Sequence, residues 1–344
     1  MSSHSLVLVA AAGDSAIAAF RLEGEQATPL ATTTGLPGTG CFAVDAARDL
    51  VHAGVKADDE AGTGAAVVTL RLDRATGALE ELSRREVDDS FAYLHLTADG
   101  RFLLGASYGG NTGLVWPVAD DGSLGEATSR IEYTHLHCVV THGDSAYFVA
   151  LGDDLVTQYR LDDDGVLSPL DPPTVSAPRG SGPRHLVVDP DGANAYLMTE
   201  FSGEAIRFDR DPSTGVLTTA EALPAYDTSR GLGHSELGAD PLANHYIWGA
   251  DLHLAGDLLI CSERTESTLT TIRLDREGHL VEVLAHTPTE QQPRGFLVTG
   301  DPALVLAVGE KSTDLAVHRV EPDGSLPVVD RVPTGKGANW VRVV

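Results

Sequence analysis

Gly182-Pro-Arg-His-Leu-Val-Val-Asp-Pro-Asp-Gly192-Ala-Asn-Ala-Tyr-Leu-Met-Thr-Glu200 reads as a strand, a tight turn and a returning strand. Val187 and Val188 lead into Asp189-Pro-Asp-Gly192, where proline pre-sets φ and glycine accepts a positive φ. The apolar run 195–198 then comes back along the first strand. Arg184 and Glu200 are equally far from Gly192, so an antiparallel hairpin sets them side by side at its open end. The expectation is a cation and a carboxylate meeting at one edge of a sheet.

The same phrase recurs at residues 42–55, 94–107, 137–151, 250–263 and 294–310, with a partial copy at 339–344. A second phrase, an Asp- and Gly-rich turn between apolar stretches, falls at 72–79, 119–124, 161–167, 209–217, 274–280 and 320–326. The period of roughly 45 residues is that of four-stranded propeller blades. Six full units and a terminal fragment predict an all-β, seven-bladed β-propeller. Strand 340–344 lacks a hairpin partner and strand 6–11 lacks a preceding strand; pairing them closes the ring and removes open edges. One interval is stretched by a polar, His-rich insertion, 224–248. No segment has the period of an amphipathic helix and no linker interrupts the repeats, so a single domain over 1–344 is expected.

A formal net charge of -26 argues against nucleic acid and anionic membranes as partners, because both require an excess of Lys and Arg. Lysine is confined to Lys56, Lys311 and Lys336, which makes any convergence of arginines informative. Cys41, Cys138 and Cys261 are odd in number and far apart, which fits a reducing compartment better than a disulfide framework. The apolar run 6–12 has no basic residue before it and no run is long enough to span a bilayer, so a cytoplasmic protein is expected. Gly38-Thr-Gly40 lacks the third glycine and the helix of a dinucleotide site, and no cofactor is expected. Nothing in the sequence signals an oligomeric state.

In a propeller blade the innermost strand leaves one face and the second strand returns to it. His137, Arg184, His185 and Arg294 stand at first-strand starts; Ser107, Tyr108, Glu200, Arg264 and Glu310 stand at or just past second-strand ends. Inter-blade ion pairs account for any one of these residues. Three arginines with His and Glu on one mouth of an acidic protein point instead to a small anionic ligand, since the guanidinium fork binds carboxylate or phosphate through paired hydrogen bonds.

Taken together, Gly182-Pro-Arg-His185 with Glu200, Trp248-Gly-Ala-Asp-Leu-His253, Glu290-Gln-Gln-Pro-Arg-Gly-Phe296 and the ending Gly335-Lys-Gly-Ala-Asn-Trp340-Val resemble the seven-bladed propeller type of 6-phosphogluconolactonase. The resemblance covers nearly the whole chain and is strongest from His137 onward. Fungal carboxy-muconate cyclases share the fold, and by repeat position their catalytic His, two Arg and Glu look like His137, Arg184, Arg264 and Glu200. Leu136-His-Cys138 departs from the bacterial lactonases, as does the insertion in detail. The resemblance implies hydrolysis of 6-phosphoglucono-δ-lactone to 6-phosphogluconate in the pentose phosphate pathway. Water then attacks the lactone carbonyl with Glu200 or His137 as general base. Arg184 would steady the oxyanion and hold Glu200, while Arg264 and Arg294, with His185, would take the substrate phosphate. Tyr108 and His253 are further candidates for substrate contact; His253 either faces the channel or pairs with Asp251.

Other signals weigh less. Gly105-Ala-Ser107-Tyr-Gly109 matches a nucleophile elbow but runs on into a strand rather than a helix, so Ser107 reads as a turn residue. Neighbours on a strand face opposite ways, which leaves Cys138 in the core rather than paired with His137. His234, Glu236, Asp240, His245, Asp251 and His253 lack the spacing of a zinc motif, and no metal is expected. Trp248 reads as a core aromatic, the alternative being a cover for a sugar ring. The alternatives are a cycloisomerase or a lactonase of another organic acid, such as a muconolactone, using the same cations, and a non-catalytic binding propeller. The last should carry apolar or aromatic patches at its mouth; this chain offers charges and 6% aromatics.

Overall fold

Three reversals per repeat give four antiparallel strands, and seven such sheets form. The computed structural model describes residues 5–58, 62–300 and 303–344. We number the blades along the chain. Blade 5, built from the opening stretch, consists of Pro183–Val188, Asn194–Thr199, Glu204–Arg210 and Leu217–Pro224, innermost first. Its turn closes as expected: the Gly192 amide donates to the Asp189 carbonyl at 3.0 Å, and Gly192 has φ +71°. The first two strands are Cys41–Asp45 and Leu50–Val55 in blade 2, Tyr93–Leu96 and Phe102–Ser107 in blade 3, and Leu136–His142 and Ser145–Ala150 in blade 4. They are Gly249–Ala255 and Leu258–Glu263 in blade 6, and Gly295–Val298 and Leu304–Val308 in blade 7. Blade 1 is closed by the C-terminal strand: Ala338–Val343 is innermost and pairs with Ser5–Ala11, as the two unpaired terminal copies require. Each innermost strand touches the next all the way round.

Second strands such as Leu50–Val55 and Asn194–Thr199 are buried along their whole length, because adjacent blades cover both faces. They therefore read as continuous apolar runs, while an outer strand such as Leu79–Glu86 alternates. Part way down, aromatic rings fill the channel. Tyr93 meets His185 and Trp340 edge-on at 5.2 and 4.9 Å, the Trp340 indole donates to the Phe42 carbonyl at 2.9 Å, and Arg342, further along the same strand, stacks on Trp340 at 4.1 Å. This plug gives one mouth a floor. The insertion contributes one helical turn, Pro241–Asn244, capped by Asp240, which the sequence periodicity did not indicate. Among the described residues no helix is long and apolar enough to cross a membrane.

Candidate active site

First-strand starts and second-strand ends converge on a cavity of about 610 Å³ whose wall includes His137, Glu200, Trp248, Arg264, Arg294 and Glu310. Four innermost strands are bulged near their start: at His137 between Leu136 and Cys138, at Arg184 between Pro183 and His185, at Asn339 between Ala338 and Trp340, and between Gly249 and Leu252. A bulge re-aims a single side chain without disturbing the rest of its strand. It also changes the expected register. The Glu200 amide bonds the Gly182 carbonyl at 2.6 Å, so Arg184 and Glu200 are not backbone partners. Their side chains nevertheless meet, Arg184 Nε donating to Glu200 Oε2 at 2.9 Å.

Glu200 is the hub. Its Oε2 also lies 3.2 Å from Arg264 Nη2, and its Oε1 accepts the Trp248 indole N–H at 3.2 Å. Burial works to raise the Glu200 pKa, but Arg264, Arg184 and Arg294 with the Trp248 N–H outweigh it and hold the carboxyl below its ordinary value. Arg264 is fully buried, lies over the Trp248 ring at 3.9 Å and donates to the Gly249 carbonyl at 3.2 Å. Burial pushes its pKa down, with Glu200 opposing and the two other arginines assisting; the guanidinium stays charged at neutral pH. Its Nε is buried with no partner among the described residues.

His137 lines the cavity, and its buried Nδ1 has no partner among the described residues. Desolvation first, then Arg184, His185, Arg294 and Arg264, hold its pKa well below the ordinary imidazole value. Tyr108 lies edge-on to His137 at 5.8 Å and also lines the cavity. Arg294, 3.6 Å from Glu310, is half-buried on the same wall.

Arg184, His185 and His253 are not on the cavity wall; they stand behind it. Arg184 Nη1 donates to His185 Nε2 at 3.0 Å and to the Ala250 carbonyl at 2.6 Å. A guanidinium can only donate, so His185 carries its proton on Nδ1 and gives it to Asp251 Oδ1 at 2.7 Å. Desolvation holds the His185 pKa at about 4, with Arg184 adding to the effect and Asp251 opposing it. His253 pairs with Asp251 Oδ2 at 3.3 Å, one of the two positions open to it on sequence. The result is a buried chain, Asp251–His185–Arg184–Glu200, that fixes the Glu200 carboxylate from the rear.

Sequence reasoning missed several residues. Trp248 is no plain core aromatic, since it clamps Arg264 and Glu200 together; its backbone N–H is held by the buried Glu263 carboxylate at 2.8 Å. Asn339 and Lys56 line the cavity and occupy repeat positions that should have flagged them. On sequence Asp251 stands as a metal-ligand candidate or a partner of His253; its bond to His185 was not expected. Ser107 donates to the Ser90 carbonyl at 2.8 Å as a turn residue, and burial pushes the Cys138 thiol up to about 12. In the insertion Asp227 and Asp240 cap short turns, and His234 and His245 bond the Ser235 and Arg230 carbonyls at 2.7 and 3.1 Å. Among the described residues the one cluster of metal-ligating type is the exposed Asp275, Glu277 and His279, remote from the cavity wall.

The family model described as Lactonase, 7-bladed beta-propeller, matches residues 7–343. A 6-phosphogluconolactonase of Sodalis glossinidius (strain morsitans) is 28% identical over 349 residues, covering 98% of each chain. One from Pectobacterium atrosepticum is 28% identical over 352 residues, covering 99% of each. Among solved structures, the periplasmic gluconolactonase of Pseudomonas aeruginosa superposes with a TM-score of 0.83 at 25% identity, over 99% of each chain. With a profile that spans the whole ring, the chain belongs to the seven-bladed β-propeller lactonase family.

Proposed function

We propose that this protein hydrolyses a sugar lactone, 6-phosphoglucono-δ-lactone, to the open-chain acid. One observation supports the reading: a single carboxylate, Glu200, pins two buried guanidiniums, Arg264 on the wall of a cavity and Arg184 behind it, and the cavity also holds a neutral histidine. His137 accepts a proton from water as the water oxygen bonds to the carbonyl carbon. The carbonyl electron pair moves onto oxygen, where Arg264 and Arg294 face the growing charge. Collapse restores the C=O, breaks the ring C–O bond and returns the proton from His137 to the departing alkoxide. One water is consumed and the ring is open. Glu200 stays ionised throughout, and Arg184 acts through it as a positioning residue. The names of the relatives support the lactone and its phosphate. Three free, buried cysteines suit a reducing compartment, and we place the reaction in the cytoplasm, within the pentose phosphate pathway.

The test is a coupled assay on freshly made 6-phosphoglucono-δ-lactone, corrected for spontaneous hydrolysis. The protein is expected to accelerate ring opening well above buffer, and Glu200→Gln to lower kcat by about 100-fold by freeing both arginines. A wild-type rate equal to buffer overturns the reading; an unchanged kcat in the variant removes Glu200 from the chemistry.

A further inference from the structure

The second strand of blade 5 ends at Thr199 and is followed by Glu200; that of blade 6 ends at Glu263 and is followed by Arg264. In blade 2 the second strand ends at Val55, and the residue in the same ring position is Lys56. It lines the same cavity. Counting along the ring of innermost strands, blade 2 is three blades from blade 5 one way and three from blade 6 the other. Lys56 therefore faces the Glu200–Arg264 pair from across the mouth.

The charges single it out. Arg264 lies against Glu200 and Arg294 against Glu310, whereas Lys56 has no ion pair among the described residues. Its stem lies over Gly38, at φ +55°, where a β-carbon would sit 2.8 Å from Lys56 Cδ. Beside it stands Asn339, 7% exposed, whose Oδ1 is buried with no partner among the described residues and whose Nδ2 lies against Gly40. A buried amide oxygen left unpaired is costly, and a hydroxyl donor from a ligand would satisfy it. Lys311 follows the second strand of blade 7, and Lys336 precedes the innermost strand of blade 1. A chain of net charge -26 thus keeps all three of its lysines at this one mouth.

We infer that Lys56 and Asn339 form the subsite for the non-reacting end of a polyhydroxy lactone, Asn339 bonding ring hydroxyls and Lys56 taking an anionic substituent. This rests on the lactonase reading above; it places recognition of the phosphate, expected on sequence at Arg264 and Arg294 with His185, at Lys56 and leaves the two arginines to the oxyanion. Wild type, Lys56→Gln and Lys56→Arg are to be assayed on 6-phosphoglucono-δ-lactone and on glucono-δ-lactone, and titrated calorimetrically with 6-phosphogluconate and with gluconate. Lys56→Gln is expected to lower kcat/KM about tenfold for the phosphorylated lactone, through KM, the scale of one charge-assisted contact. It should leave the unphosphorylated lactone within about twofold, and Lys56→Arg should restore most of the loss. Affinity for 6-phosphogluconate should fall in parallel and that for gluconate should not. Equal losses on both lactones, or none on either, overturn the subsite. If wild type hydrolyses neither lactone, the hydrolase reading alone falls and the titrations decide; wild type binding 6-phosphogluconate no better than gluconate then overturns the subsite as well.

Discussion

A histidine buried among three guanidiniums resists a second proton, and with His137 as the proposed base that resistance would set the pH response of the reaction. His137 is held well below the usual imidazole range by desolvation and then by its cationic neighbours. Its neutral, proton-accepting form therefore persists through the neutral and mildly acid range and is lost only as pH falls through the depressed value. The enzymatic rate, after subtraction of the buffer rate, is expected to stay flat from pH 7.5 to below 6 and to drop further down. An acid limb centred at or above 6.5 would mean that this imidazole is solvated and uncoupled. His137→Gln should abolish the limb together with about 100-fold or more of kcat. A variant that loses rate but keeps the limb would hand the base role to Glu200, whose own titration lies below the ordinary carboxylate value.

At the scale of strands, the site depends on how closely blade 6 seats on blade 5. The Gly249 amide donates to the Glu200 carbonyl at 2.9 Å, and a β-carbon on Gly249 would stand 2.2 Å from the Thr199 carbonyl oxygen. Gly249→Ala must push the strand that positions Trp248 away from the one that positions Glu200. Thermal melts should show a loss of about 1–3 kcal/mol, the usual cost of overpacking, with kcat falling more steeply than stability explains. Gly64→Ala, where an added methyl meets nothing, is the control and should change neither; equal behaviour of the two variants would refute the close-seating argument. The strands themselves were legible in the sequence because turn residues and two-residue alternation are local signals, repeated in six full units. The bulges were not. One inserted residue at Arg184 or His137 leaves the apolar pattern intact and shows itself only once a partner strand fixes the register. That is why His185, expected at the ligand, stands behind Arg184. Trp248 was read by its apolar ring, which conceals the N–H that serves Glu200. Lys56 occupied the repeat position of Glu200 and Arg264 and could have been found by extending that comparison to blade 2.

The whole ring holds the mouth in shape, and a single sheet seals it. Blade 1 borrows its innermost strand from the far end of the chain, with Val9 opposite Val341 and Ala10 opposite Trp340. That strand carries Asn339 to the cavity and Trp340 into the channel plug. Removing residues 338–344 would leave Ser5–Ala11 as an open edge, apolar from Leu6 onward, a template for pairing with other chains, and would uncover Val7 and Val9, which are completely buried against that strand. What the ring needs is the pairing, not the order of the chain. The Val344 amide already bonds the Leu6 carbonyl at 2.9 Å, so a short Gly-Ser linker can join the two ends. New ends can then be opened in the exposed turn at residues 162–164, where loop tips tolerate cutting. The permuted protein is expected to melt cooperatively within a few degrees of the parent and to keep its lactone-opening rate. The truncated protein is expected to lose its single transition, to aggregate and to lose activity. A truncated chain that still melted as one unit at the parental temperature would show that six blades hold the mouth without the seventh.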